Sequence, residues 1–459
     1  MLVGFSVGNY KSYKNVQTIS FVASKVSRHQ NHIYTSKNRK LLKGSLIYGA
    51  NASGKSNLID AVYFSKNIII KGLDDLDLNK KYFKLGEDKN YYKEPGIFEY
   101  RMIIKDIEYS YGFAISYCNQ EIIAEWLVEN LPNGEEKIVF NREMNENGFS
   151  NITEFKKYDT DTENNKFKFY LDDFSNNISN SLRKKTILSD IASRVSSSSN
   201  YFQDIINVYN YFEKIIVIFP DSKYGDICDF ISDIKKKNIF ELFLKHFDTG
   251  IVSIDQSKEV FDIDKLLSNI NDLNKEQFRQ YIFNNISKEP IMLTINDRIV
   301  MLSKDETGDI VYSKLQLNHG KSNELFNFNE ESDGTKRLFD LIPIFFIPWE
   351  NRVIFIDEID RSMHTNLIKN FLELYYNLTE DDKFQLIATT HDSNLLDLEL
   401  MRQDEIWFVE RENDKSSTLY SLNKFKERYD KKIEKEYLIG RYGAIPIFQS
   451  LNLEGLLNE

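Results

Sequence analysis

The stretch LIYGANASGKSNL, Leu46–Leu58, decides the reading of this 459-residue chain. Its centre, GANASGKS from Gly49 to Ser56, satisfies Gly-x-x-x-x-Gly-Lys-Ser after an apolar strand and before a helical pattern. Gly49 and Gly54 permit a tight loop whose N–H groups surround a phosphate, with Asn51, Ala52, Ser53 and Asn57 completing the cradle. Lys55 offers a compact positive charge to the β and γ phosphates, and Ser56 offers a hydroxyl to Mg²⁺. A chance strand, loop and helix of this composition is the plain alternative.

Further along, RVIFIDEID, Arg352–Asp360, is an apolar strand that delivers adjacent acids to the carboxyl edge of a sheet, where α/β proteins bind ligands. Asp357 is expected to hold Mg²⁺ through water, and Glu358 to orient and deprotonate an attacking water. A surface turn with three carboxylates would leave so apolar a strand unexplained. Another apolar strand, FQLIATTHDSNLL, delivers His391, 34 residues after Asp357, and a contact to the γ phosphate is expected of it. Between loop and acids stands ESDGTKRLFD, Glu331–Asp340, which by itself reads as a capped helix start and also as a ready anion site.

The bulk properties suit this reading. Hydrophobic residues at 41% and aromatics at 14% indicate a folded chain, and 28% charged residues with a net charge of −11 indicate a soluble one. The acidic balance argues against a protein that coats nucleic acid, although a local basic stripe stays possible. The densest basic runs, Arg183–Lys185 and Lys235–Lys237, read as solvated helix faces. Cys118 and Cys228 carry no Cys-x-x-Cys or secretory pattern and read as buried thiols in a reducing compartment. No signal-peptide block opens the chain, and apolar runs such as LIPIFFIPW, Leu341–Trp349, are too short to span a bilayer, so no membrane partner and a cytoplasmic location are expected.

Periodicity divides the chain into three parts. Residues 1–158 read as strands around the phosphate loop followed by antiparallel strands such as FEYRMIIKD, IEYSYGFAIS and IIAEWLVEN. Residues 159–290 read as a mainly helical insertion, entered through a polar, mobile connection at Asp159–Asn180 and broken at Ser196–Asn200. Its helical spacing includes YFQDIINVYNYFEKIIVIF and DIDKLLSNINDLNKEQFRQYIFNNI, without sustained heptads. Residues 291–459 return to strands and then alternate helix and strand. The expected class is α/β.

The ordered set GANASGKS, ESDGTKR, VIFIDEID and TTHDS resembles the ABC-type ATPase branch that includes SMC and RecF proteins. That resemblance implies a P-loop ATPase like the ABC and SMC heads, with a mixed sheet, an antiparallel β lobe and a helical insertion. It implies two ATP molecules sandwiched in a homodimer or higher oligomer, each held by Lys55 and Asp357 of one chain and by Ser332 and Gly334 of the other. Glu331, Thr335 and Lys336 depart from the common Leu-Ser-Gly-Gly-Gln signature, which puts the contacts in doubt but not the placement. Asp360 matches the family's D-loop. The opening FSVGNYKSYKN is similar to the first strand and turn of RecF-like ATPases and makes Lys11 and Ser12 nucleotide-side candidates, with a surface hairpin as the alternative. The Q-loop glutamine has no secure match, since Gln120 sits in what reads as a hairpin turn.

More narrowly, LIYGANASGKSNL, ESDGTKRL, FIDEIDRSMH, ATTHDSNLLD and the tail IWFVER…LYSL…YLIGRYGAIPIF resemble the small bacterial AAA-family ATPases of phage-defence and abortive-infection systems. The resemblance leaves Asp159 to Pro290 uncovered. It implies a regulatory ATPase with a separate nuclease or toxin effector. A RecF/SMC-like repair ATPase that binds DNA directly is the alternative, and nucleic acid stays open as a partner. An autonomous nuclease is disfavoured: 68 residues follow His391, too few for the nuclease domain of some relatives. Asp159 and Asp161 mimic an Asp-x-Asp metal pair but read as loop acidity, and His29 and His32 beside Arg28 lie in the N-terminal lobe. A GTPase is disfavoured because NKKY at Asn79 and NKEQ at Asn274 lack the acid of the base-recognition motif.

Overall fold

The computed structural model describes residues 1–37, 39–86, 89–145, 150–176, 180–195, 200–220, 233–260, 280, 282, 286, 291–295, 298–304, 310–320, 324–346, 352–379 and 382–446. The chain forms two compact units, one of Met1–Pro220, Trp349–Asp360 and Lys369–Glu459, the other of Asp221–Pro348 and Arg361–Ile368. These borders differ from the three-part division read from periodicity.

In the first unit, strands with continuous apolar runs form the centre of a six-stranded sheet. Its order is Ile215–Ile218, Arg352–Ile356, Phe384–Thr389, Gly44–Tyr48, Ile406–Arg411, Ser417–Ser421. The first five are parallel and the last pair is antiparallel. Gly44–Tyr48 and Phe384–Thr389 are buried along their whole length, as parallel strands covered on both faces must be. The alternating sequences form a second, seven-stranded antiparallel sheet. It runs Ser150–Phe155, Glu136–Met144, Glu121–Asn130, Ile107–Ser116, Gly96–Ile104, Leu2–Gly8, Gln17–Ser20. One apolar cluster joins Ile59 and Val62 of the helix Lys55–Lys71 to Phe98 and Tyr100 of the antiparallel sheet and to Ile47 and Val353 of the parallel one. The helix that starts at the phosphate loop is therefore locked between two sheets. The α/β class, the mixed sheet and the antiparallel lobe are those expected.

Two stretches differ from expectation. Asp159–Asn180, which reads as a mobile connection, contains the helix Asp161–Asn176. Phe167, Leu171 and Phe174, spaced four and three apart, fall on one buried face, while Asp161 and Glu163 suit the positive end of the helix dipole. Asp161 is the first residue of that helix and Asp159 lies two residues before it. In YFQDIINVYNYFEKIIVIF the helix stops at Glu213, and Ile215–Ile218 is a strand parallel to Arg352–Ile356. Four consecutive β-branched residues pack better on a pleated surface than on a helix, and the exposed edge beside Arg352–Ile356 takes them.

Smaller features follow the same logic. Cys118 is half-buried, not buried, because it sits at a hairpin tip where its thiol donates to Tyr92 O. Cys228 lies outside the described residues, as do most of Ser196–Asn200 and nearly all of DIDKLLSNINDLNKEQFRQYIFNNI. Gln120, with φ +56°, occupies the same hairpin turn. The tail motif docks onto the end of the first unit: Tyr442 is buried, its carbonyl accepts from Tyr420 OH, and Tyr437 OH donates to Ala444 O.

In the second unit, Ser253–Val260, Ile310–Asn318, Arg298–Lys304 and Ile291–Ile295 make an antiparallel sheet, with Phe326–Asn327 also pairing with Ile310–Asn318. The helix Ile234–His246 carries the basic run at Lys235–Lys237 on its exposed first turns and sends Phe240 against Phe339 of the helix Asp333–Leu341. Among the described residues, no helix is long and apolar enough to cross a membrane.

Candidate functional site

Three neighbouring parallel strands of the first unit, Arg352–Ile356, Phe384–Thr389 and Gly44–Tyr48, end at one edge of their sheet. Parallel pairing sends whatever follows each strand to the same side, which brings together Asp357, His391 and the phosphate loop.

The loop is held in shape by its surroundings. Gly54, the N-cap of the helix Lys55–Lys71, has φ +116°, a conformation L side chains rarely adopt, and a Cβ there would lie 2.2 Å from Ser417 Oγ and 2.6 Å from Ser12 Oγ. Ala52 also takes positive φ, +60°. Tyr13 OH donates to Gly54 O at 3.0 Å, Ser417 Oγ donates to Ser53 O, and Asn57 Nδ2 donates to Ser12 Oγ at 2.8 Å. Carbonyls of the loop are thus taken up on its outer side, and the helix N-terminus behind it suits an anion. Asn51, Ala52 and Ser56 are exposed, whereas Ser53 is buried with its hydroxyl unpartnered among the described residues.

Lys55 Nζ donates to Gly49 O at 2.7 Å and Ala50 O at 3.1 Å, and lies 3.3 Å from His391 Nδ1. Burial lowers the Lys55 pKa to about 8, against the opposing pull of Asp357, Asp360 and Glu358. Burial and the nearby Lys55 charge together lower His391 below the ordinary histidine range, opposed by the same three acids. The imidazole is therefore neutral at pH 7. Because an ammonium only donates, Nδ1 accepts from Lys55 and the ring proton belongs on Nε2, which faces Glu358 Oε1 at 3.8 Å.

Across the sheet, Asp357 is buried, its N–H donates to Ile218 O, and its Oδ1 accepts from Thr389 Oγ1 at 2.6 Å. Glu358 has φ +51°, and its N–H donates to Thr389 Oγ1 at 2.8 Å. Asp360 Oδ2 accepts from the His391 N–H at 3.0 Å, and its other oxygen is a buried atom with no hydrogen-bond partner among the described residues. The structure therefore brings together Gly49, Ser53, Gly54, Lys55, Ser56, Asn57, Asp357, Glu358, Asp360 and His391.

Of the N-terminal pair, Ser12 lies against the loop through Asn57 and through its own carbonyl, which accepts from Ser417 N at 2.8 Å. Lys11, with φ +48°, has its Nζ paired at 2.6 Å to Asp60, about one turn along the loop helix from Ser56. Asp60 is also bound by Tyr10 OH and approached by Lys81, so Lys11 is engaged in a structural ion-pair cluster.

Ser332 and Gly334 belong to the second unit. Ser332 caps the helix Asp333–Leu341, accepting from Thr335 N at 3.1 Å, and is exposed. A Cβ on Gly334 would lie 2.7 Å from Ser362 O, so the close backbone approach requires glycine. The local structure is that of an exposed, capped helix N-terminus.

Sequence reading missed Thr389, Ser417 and Tyr13. Only Thr389 had a signal, as the last residue of a buried strand two places before His391. Chemically, the loop N–H groups and Lys55 fit a polyphosphate. Ser56 with Asp357 fits Mg²⁺, an ion that takes one or two protein oxygens and completes its shell with water and phosphate.

The family model described as "AAA domain, putative AbiEii toxin, Type IV TA system" matches residues 45–171 and 233–397. Two solved structures are similar over nearly the whole chain. An SMC head bound to the C-terminal winged-helix domain of ScpA is 16% identical, with a TM-score of 0.38 over 92% of this chain and 97% of that one. The SMC head domain from Thermotoga maritima is 13% identical, with a TM-score of 0.38 over 92% of this chain and 98% of that one. Comparison with curated proteins gave no match.

Proposed function

The chain belongs to the AAA-domain family whose model carries the description "putative AbiEii toxin, Type IV TA system", and from that premise we propose that it is a Mg²⁺-dependent ATPase that dimerises around ATP and regulates a separate nuclease or toxin effector in bacterial phage defence. The convergence of Lys55, Asp357, Glu358 and His391 at one sheet edge carries the enzymatic part of this reading. Lys55 holds the β and γ phosphates. Ser56 and Asp357 would hold Mg²⁺, which neutralises charge on the phosphates when bound. Glu358 orients the attacking water and takes its proton, and the neutral His391 donates a hydrogen bond from its Nε2–H to the γ phosphate. Ser332 and Gly334 reach the γ phosphate of the partner chain's ATP from their exposed helix N-terminus. Release of phosphate opens the dimer and changes the state of the effector.

The test is Glu358→Gln. The variant should bind ATP with wild-type affinity, lose turnover at least a hundredfold, and elute as a dimer with ATP and Mg²⁺. Undiminished turnover would remove Glu358 from its role. Purified from its native operon, the trapped variant should carry a stoichiometric nuclease or toxin-like protein. Recovery of DNA alone would move the assignment to a RecF/SMC-like repair ATPase.

A further inference from the structure

Thr389 is fully buried at the end of the strand that separates the Asp357 strand from the phosphate-loop strand. Its hydroxyl contacts both acidic residues of the site, accepting from the Glu358 N–H at 2.8 Å and donating to Asp357 Oδ1 at 2.6 Å. The direction of this chain is fixed by chemistry: an amide only donates, an ionised carboxylate only accepts, and the hydroxyl has one proton to give. Its backbone carbonyl accepts from Ile359 N at 3.0 Å, so one residue grips three consecutive positions, 357 to 359.

That grip falls where the backbone needs it. Glu358 has φ +51°, a conformation unfavourable for a non-glycine residue that persists only when its surroundings over-determine it. The Thr389 hydroxyl anchors that peptide from one side while committing one oxygen of Asp357, leaving Oδ2 as the oxygen not held by Thr389. Two residues on, the same segment presents His391. We infer that Thr389 is a positioning residue: its hydroxyl sets the metal-binding rotamer of Asp357 and the aim of Glu358 together, coupling Mg²⁺ affinity to placement of the general base. This assignment rests on the ATPase reading for its second half only.

An ordinary buried threonine, satisfied by convenient neighbours, would affect stability alone. The experiment therefore measures ATP affinity with Mg²⁺ and with EDTA, and turnover against Mg²⁺ concentration, for wild type, Thr389→Val and Thr389→Ser. Outer hydrogen-bond partners of metal ligands are typically worth about 10–100-fold in metal affinity. Thr389→Val keeps the shape and loses the hydroxyl; it should reduce the tightening of ATP binding by Mg²⁺ about tenfold, leave affinity in EDTA unchanged, and lower kcat more than it raises KM for ATP. Thr389→Ser should restore both. A folded Thr389→Val protein with wild-type Mg²⁺ dependence would overturn the assignment, as would a lost dependence that Thr389→Ser does not rescue. If the wild type binds ATP with Mg²⁺ but never hydrolyses it, the enzymatic reading falls while the Mg²⁺ ratio still decides the role of Thr389. Should the valine variant unfold, Thr389→Ala and Thr389→Cys give the same comparison with less bulk at the branch.

Discussion

Lys55 Nζ and His391 Nδ1 lie 3.3 Å apart, although 336 positions separate them, because the strands that precede them pair in parallel with Thr389 opposite Ile47. The loop lysine and a histidine that follows the neighbouring strand thus share one hydrogen bond at the sheet edge. Lys55 keeps two carbonyl partners besides the histidine, whereas His391 reaches Glu358 on its other side.

His391→Ala should therefore separate binding from chemistry. Lys55 retains its contacts to Gly49 and Ala50, so ATP affinity should change less than about threefold, while kcat falls on the order of a hundredfold for loss of a positioned hydrogen-bond donor to the γ phosphate. Single-turnover rates beside equilibrium binding would check this; a change confined to affinity would assign His391 to ground-state binding.

For Ser332, the cap and the proposed contact with the partner's nucleotide can be told apart. Ser332→Asp preserves the cap, since aspartate accepts from the N–H of Thr335 as well as serine does, but brings negative charge toward a phosphate. Turnover should drop more than tenfold with Tm within about 1 °C, and Ser332→Arg should abolish turnover while leaving monomeric ATP binding intact. A wild-type rate in either variant would reduce Ser332 to a helix cap.

Gly54→Ala should fail in two ways at once. Its φ of +116° disfavours any Cβ, and that Cβ would overlap Ser417 Oγ and Ser12 Oγ. A loss of about 1–3 kcal/mol in stability is expected, read as a fall in Tm, with ATP affinity down at least tenfold. Adding Ser417→Ala should recover part of the stability and none of the affinity, because the backbone conformation stays strained.

Much of the site could be read in the one-dimensional pattern because its chemistry is local in sequence. A phosphate loop must follow a buried strand and open a helix, so LIYGANASGKSNL singles out Lys55 and Ser56 as candidates, and RVIFIDEID places Asp357 and Glu358 at a strand end, where the structure has them. The parts that misled were those whose local propensity tied. IIVIF after a helix could continue it or turn into a strand, and only a free edge beside Arg352–Ile356 resolves the choice. DTDTENNKF reads as polar connection until the burial of Phe167, Leu171 and Phe174 makes a helix of it.

What the sequence determined by itself is the kind of chemistry: residue types at fixed short spacings, whose backbone context is set within a dozen positions. The tertiary structure decided which distant groups share that chemistry. Pairing of three parallel strands in register puts His391 beside Lys55 and the Thr389 hydroxyl between Asp357 and Glu358. The antiparallel edge strand brings Ser417, and the turn after the first strand brings Tyr13, against the phosphate loop, while Lys11 pairs with Asp60. These contacts depend on hydrogen bonds a few ångströms long between residues tens to hundreds of positions apart, and no local pattern encodes them, because a threonine or a serine at a strand end has the same propensity whatever lies across the sheet.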